Sequence, residues 1–117
     1  MNDKPKYIGQ GYAQGDILFM PVNKIPENCR EFPRENGKLV IALGEVTGHH
    51  HRIEEPTTKG WVDEEDQVWV QVNDLINDVN LVHEEHGQIT LPPGNYRVIN
   101  VQREFQSEKG EIRRVVD

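Results

Sequence analysis

The chain contains five histidines, and all of them fall in two short windows. "GEVTGHHHRIEE" (44–55) holds His49, His50 and His51, and "LVHEEHGQ" (81–88) holds His83 and His86 around Glu84 and Glu85. The first run is internal, after a turn-like Thr47-Gly48, so it belongs to the protein and not to a terminal tag. Strand side chains alternate, which places His49 and His51 on one face and His50 on the other. An H-x-H pair is then a bidentate metal site. In the second window, alternation pairs His83 with Glu85 and Glu84 with His86, whereas a bend at Gly87 would let His83 and His86 converge. Imidazole joined by carboxylate suits a divalent ion such as Zn, Fe, Mn or Ni, and it marks a reactive centre more than a closed structural one. Cys29 is the only cysteine, which argues against a zinc ribbon or finger.

A blander reading stands beside this. Histidines flanked by Glu54, Glu55, Glu84 and Glu85 could form a solvated face with loose ion pairs. Confinement of all five histidines to two windows favours metal binding or catalysis, and it leads to the expectation that the windows meet in space. The expected metal ligands are His49, His51, His83, His86 and Glu55. Glu84 or Glu85 would complete the shell or serve as general base toward a water that the metal activates. Arg103, if it reaches the site mouth, would orient an anionic substrate bidentately.

The elements that must carry these residues read as strands. "DILFMPV" (16–22) is the first, and Lys38 to Leu43 is a nearly continuous apolar run of the kind found in a strand buried on both faces. Asn36-Gly37 before it supplies a tight turn, because both residues tolerate positive φ. In "QVWVQV", Val68, Val70 and Val72 alternate with Gln67, Trp69 and Gln71. "DVNLVHEEH" is a strand or a strand feeding a bend, and Pro-Pro-Gly-Asn separates two β-rich pieces in "QITLPPGNYRVINV". The tail "QREFQSEKGEIRRVV" predicts a hairpin near Lys109-Gly110, and its match to "REFPRENGKL" (30–39) is read as shared turn geometry. Only "PTTKGWVDEEDQ" and "NDLINDVN" have room for a short helix. Residues 1–14 read as a flexible arm and 15–117 as one β-rich domain, an all-β sandwich or barrel.

Composition bounds the function. At 117 residues the chain fits one domain. A formal charge of -7 repels polyphosphates and anionic lipid while attracting multivalent cations, so neither general nucleic-acid binding nor membrane association is expected. The start "MNDKPKYIGQ" shows no signal-peptide h-region, no apolar run approaches the ~18 residues of a membrane span, and the expected compartment is the cytoplasm.

"GEVTGHHHRIEEP" resembles the first motif of the cupins, with His49, His51 and Glu55 at the H-x-H-x-x-x-E spacing, and "LPPGNYRV" resembles the proline-glycine turn of their second motif. That resemblance implies a small double-sheet barrel with one metal in its mouth. Two positions depart from it: Gly44 lies one residue closer to the histidines, and Arg97 stands where the later ligand histidine is usual, leaving His83 or His86 to supply that ligand. The set "QGDILFMPV", "LGEVTGHHHRI", "VHEEHGQITLPPGNYRV" and "QREF" is similar to a group of small uncharacterised bacterial and phage-type proteins sharing GExTGHxH, HEEH and a Gln-Arg-Glu-aromatic tail. This resemblance favours His49 and His51 over His50 and marks His83, Glu84, Glu85, His86, Gln102, Arg103 and Glu104 as a candidate surface.

The resulting expectation is a metal-dependent enzyme acting on a small polar molecule, with hydrolysis ahead of cupin-type dioxygen or isomerase chemistry. The competing class is a non-enzymatic module that binds a protein partner and uses the histidines to sense metal or pH. Association with a second copy of the chain stays open under either.

Overall fold

The computed structural model describes residues 4–41, 50–75 and 77–101. The protein is all-β, with ten strands among these residues: β1 (Tyr12–Gln14), β2 (Ile17–Val22), β3 (Arg30–Glu31), β4 (Leu39–Ile41), β5 (His51–Ile53), β6 (Lys59–Val62), β7 (Val68–Val72), β8 (Val79–Leu81), β9 (Ile89–Leu91) and β10 (Gly94–Asn100). One antiparallel sheet has the order β1-β2-β10-β7-β6-β3. The hairpins β4-β5 and β8-β9 form the opposing layer, joined where Arg52 and Val82 exchange two backbone hydrogen bonds of 2.9 Å.

The alternation of apolar residues builds the core between the layers. Ile17, Phe19, Val70, Val72, Tyr96 and Val98 project from the six-stranded sheet, and Leu39, Ile41, Ile53, Val79, Leu81 and Leu91 from the other. The Lys38–Leu43 run departs from the expected two-sided burial. Leu39 and Ile41 are buried while Val40 is half-buried, because β4 belongs to an outer layer that packs through one face. Residues 42 and 43 of that run lie outside the described residues.

Turn chemistry matches the reading in one place and replaces it in another. Glu35 and Lys38 exchange hydrogen bonds of 2.8 and 2.9 Å around Asn36 (φ 52) and Gly37 (φ 79), a two-residue turn with both central residues at positive φ. The window with room for a helix, 56–67, instead gives β6 and a turn in which Asp63 Oδ1 accepts from the Glu65 and Gln67 N–H groups, both at 2.9 Å. A side-chain acceptor there competes with helical hydrogen bonding. The segment read as an arm contains β1, and before it Ile8 N–H donates to the Pro21 carbonyl at 3.0 Å and Asn23 N–H to that of Lys6 at 3.0 Å. The expected Thr47-Gly48 turn and the hairpin near Lys109-Gly110 lie outside the described residues.

Candidate functional site

Two core rows end in histidine. On β5, His51 and Ile53 point inward while Arg52 is half-buried between them, and His51 pairs across the ladder with Ile41. On β8 and beyond, Val79, Leu81 and His83 continue a single inward row. The core therefore becomes polar at one end. His51 is fully buried, His83 is 7% exposed, and His86, on the connection to β9, is exposed. The rings of His51 and His83 are 4.5 Å apart between centroids, those of His83 and His86 4.6 Å, and those of His51 and His86 6.0 Å with near-parallel planes. The two histidine windows thus meet in space.

Residues outside those windows hold the cluster, and they escaped the sequence reading. Gln14, at the end of β1, is buried. Its Nε2 donates to the carbonyls of Leu81 (3.0 Å) and Gly87 (2.9 Å), and its Oε1 faces His51 Nδ1 at 2.7 Å. Gly15 follows in the β1–β2 turn with φ +61, the position that type II′ turns give to glycine. A Cβ there would lie 2.5 Å from His86 Nε2, so the missing side chain makes room for that ring. The only sequence signal for Gln14 is a polar residue at an inward register position, two residues after the core-packed Tyr12 and just before Gly-Asp.

Burial, then the neighbouring His83 and His86, pushes the His51 pKa down to about 4, against a weaker opposing pull from Asp16. His51 is consequently neutral at pH 7. His83 Nδ1 accepts the Glu85 backbone N–H at 3.0 Å. An accepting Nδ1 carries no proton, so in this arrangement the proton of His83 is on Nε2.

The acidic residues are distributed differently from the expectation. Glu55, expected as a ligand, is committed to a turn: Oε1 accepts from Thr58 N (2.9 Å) and Oγ1 (2.7 Å), and Oε2 from Thr57 N (3.0 Å) and Oγ1 (2.7 Å). Burial works to raise its pKa, but these hydrogen bonds outweigh it and hold the carboxyl below its usual range. The H-x-H-x-x-x-E spacing of the sequence therefore does not deliver Glu55 as a free donor. Glu84 pairs with Arg52 at 3.0 Å on the outer side of β5, and Glu85 is anchored by its backbone to His83. Arg97 alternates away from the core between Tyr96 and Val98 and donates to Tyr7 Oη at 3.1 Å. His49, Gln102, Arg103 and Glu104 lie outside the described residues. Among the described residues, no group of three His, Cys, Asp or Glu side chains is arranged to hold a metal ion as it stands. A surface groove of about 320 Å³ bordered by Lys4, Lys24, Glu27 and Asp63 shares no lining residue with the histidines.

The fold and site define an all-β, two-layer protein with a histidine cluster at one end of its core. The chain belongs to the family described as Domain of unknown function (DUF8820), whose model matches residues 13–101 and so takes in Gln14, Gly15 and all five histidines. No curated protein and no solved structure matches the chain. No helix among the described residues is long and apolar enough to cross a membrane.

Proposed function

We propose that the protein is a small metal-dependent enzyme that holds a divalent ion at the polar end of its core and acts on a small polar molecule. The observation that carries this reading is the convergence of His51, His83 and His86 from two windows. With metal–nitrogen bonds near 2.0–2.1 Å, two imidazoles on one ion place their ring centres roughly 5 Å apart. The observed separations of 4.5, 4.6 and 6.0 Å bracket that value, which supports a ligand shared between these rings. His51 and His86 are the leading donors, with His49 expected to join from the H-x-H motif. His83 would have to release the Glu85 N–H to bind through Nδ1, or lose its Nε2 proton.

A divalent ion bound here would supply Lewis acidity and an activated water. The protein would then exclude bulk water through the buried His51, and Glu84 or Glu85 from the same window would serve as the base. Hydrolysis remains the leading chemistry, and the cupin resemblance supports dioxygen or isomerase chemistry second. A separate observation supports the protein-binding module: Leu75, on the β7–β8 connection, is 85% exposed.

The test is elemental analysis of untagged protein purified without added metal, then titration with Zn, Mn, Fe and Ni and a panel of small esters, phosphoesters and amides. Stoichiometric binding lost in His51→Ala is expected. Absence of any stoichiometric metal would end the reading.

A further inference from the structure

We infer that Gln14 is a positioning residue for the histidine site, fixing His51 as the Nδ1–H tautomer so that Nε2 is the nitrogen with the lone pair. A glutamine amide could face an imidazole with either end, so the direction has to be decided by its other partners. Here both N–H bonds of Gln14 Nε2 are taken by backbone carbonyls, those of Leu81 at 3.0 Å and Gly87 at 2.9 Å. The end left for His51 is the acceptor Oε1, at 2.7 Å from Nδ1. A contact that short to an acceptor requires the proton on Nδ1. In a neutral ring the other nitrogen, Nε2, then carries the lone pair.

Gln14 is 3% exposed, so water does not substitute for these bonds. Its partners also span the fold: the amide is on β1, the imidazole on β5, and the two carbonyls at the end of β8 and before β9. The backbone of the β8–β9 hairpin thereby dictates which nitrogen of a β5 histidine can take a ligand. His83 is held in the opposite tautomer, because the Glu85 N–H donates to its Nδ1 at 3.0 Å. Two imidazoles with centroids 4.5 Å apart thus present complementary Nε2 atoms, an acceptor on His51 and a donor on His83. On the metal reading, this asymmetry suits Nε2 of His51 to bind an ion and leaves Nε2 of His83 carrying its proton.

The consequence for metal affinity rests on the metal reading above, but the tautomer assignment does not. Long-range ¹H–¹⁵N correlation spectra of the full chain at neutral pH, with no metal added, report the tautomer of each ring directly. The expected pattern is a protonated Nδ1 on His51 and a protonated Nε2 on His83. Gln14→Met keeps the bulk and removes the acceptor, and His51 should then move to the Nε2–H or a mixed state. Gln14→Glu keeps an acceptor and should retain the Nδ1–H state, although its oxygens face two carbonyls. A merely structural role would make Gln14→Glu the more damaged of the two and leave the tautomer unmoved in Gln14→Met. With zinc alone as probe, Gln14→Met should bind about 10–100-fold more weakly than the parent. A parent spectrum with His51 as Nε2–H, or an unchanged tautomer in folded Gln14→Met, overturns the inference. Should Gln14→Met fail to fold, the parent spectrum and Gln14→Glu decide it. The stated tautomers without zinc binding would uphold the role of Gln14 and defeat the metal reading alone.

Discussion

At the residue scale, the burial of His51 has a cost that depends on pH. Its pKa lies at about 4 in the fold, against 6.5 for an ordinary histidine, so between those values the unfolded chain binds a proton that the folded chain refuses. Stability therefore falls as pH drops through that window, by at most about 3–4 kcal/mol for a shift of this size. Denaturant unfolding at pH 7 and pH 5 should show the loss, and His51→Gln should flatten it. A parent protein equally stable at both would contradict the neutral burial of His51. Gly15 makes a second prediction at this scale. With φ +61 and a Cβ position 2.5 Å from His86 Nε2, Gly15→Ala should cost about 1–2 kcal/mol from the left-handed backbone alone and displace the His86 ring besides. Thermal unfolding and the His86 ring resonances read the two effects separately.

At the element scale, the connection from β5 to β6 depends on Glu55. Four hydrogen bonds from Thr57 and Thr58 converge on its carboxylate, and Arg34 closes the same region by donating to the carbonyls of Gly37, Ile53, Glu55 and Thr58. Glu55→Ala should lower stability by roughly 1–3 kcal/mol through the unsatisfied turn while leaving zinc affinity intact. A selective loss of zinc at unchanged stability would restore Glu55 to the ligand set. The same connection shows where sequence reading reaches its limit. Spacing suggested a ligand at Glu55, and what spacing did not show is that the adjacent threonines donate to both of its carboxylate oxygens. Short-range rules served well wherever the determinant was itself local, as at Asn36-Gly37 and in the valine alternation of β7. They failed at β6, where Gly60 is needed because the Phe32 ring, just past the end of β3, packs against its backbone, and at Gln14, whose partners are all remote in sequence. Convergence of the histidines was anticipated from their distribution. The residue that orients them was not, because nothing about an isolated glutamine announces two carbonyl partners about seventy residues away.

At the scale of the whole molecule, the second layer is the weaker construction. Among the described residues the backbones of its two hairpins pair at one bridge, Arg52–Val82, beside the Arg52–Glu84 ion pair, and the three histidine rings lie next to that joint, drawing on β5, the β8–β9 connection and, through Gln14 and Gly15, the β1–β2 hairpin of the other sheet. A ligand shared by His51 and His86 would cross-link the two hairpins of this layer in the folded state only, so it would stabilise by mass action. At a free concentration 100 times Kd the gain is about 2.7 kcal/mol. For a domain of this size that corresponds to a rise in Tm of roughly 10 °C. The -7 charge adds a nonspecific attraction for cations that must be separated from this effect, and ionic strength separates it, because diffuse attraction is screened while coordination is not. Scanning calorimetry with and without zinc in moderate salt should therefore give the full shift for the parent, most of it for His50→Ala, and none for His51→Ala. A shift that survives His51→Ala would place the ion away from the joint between the two hairpins, and the coupling of metal to their docking would have to be abandoned.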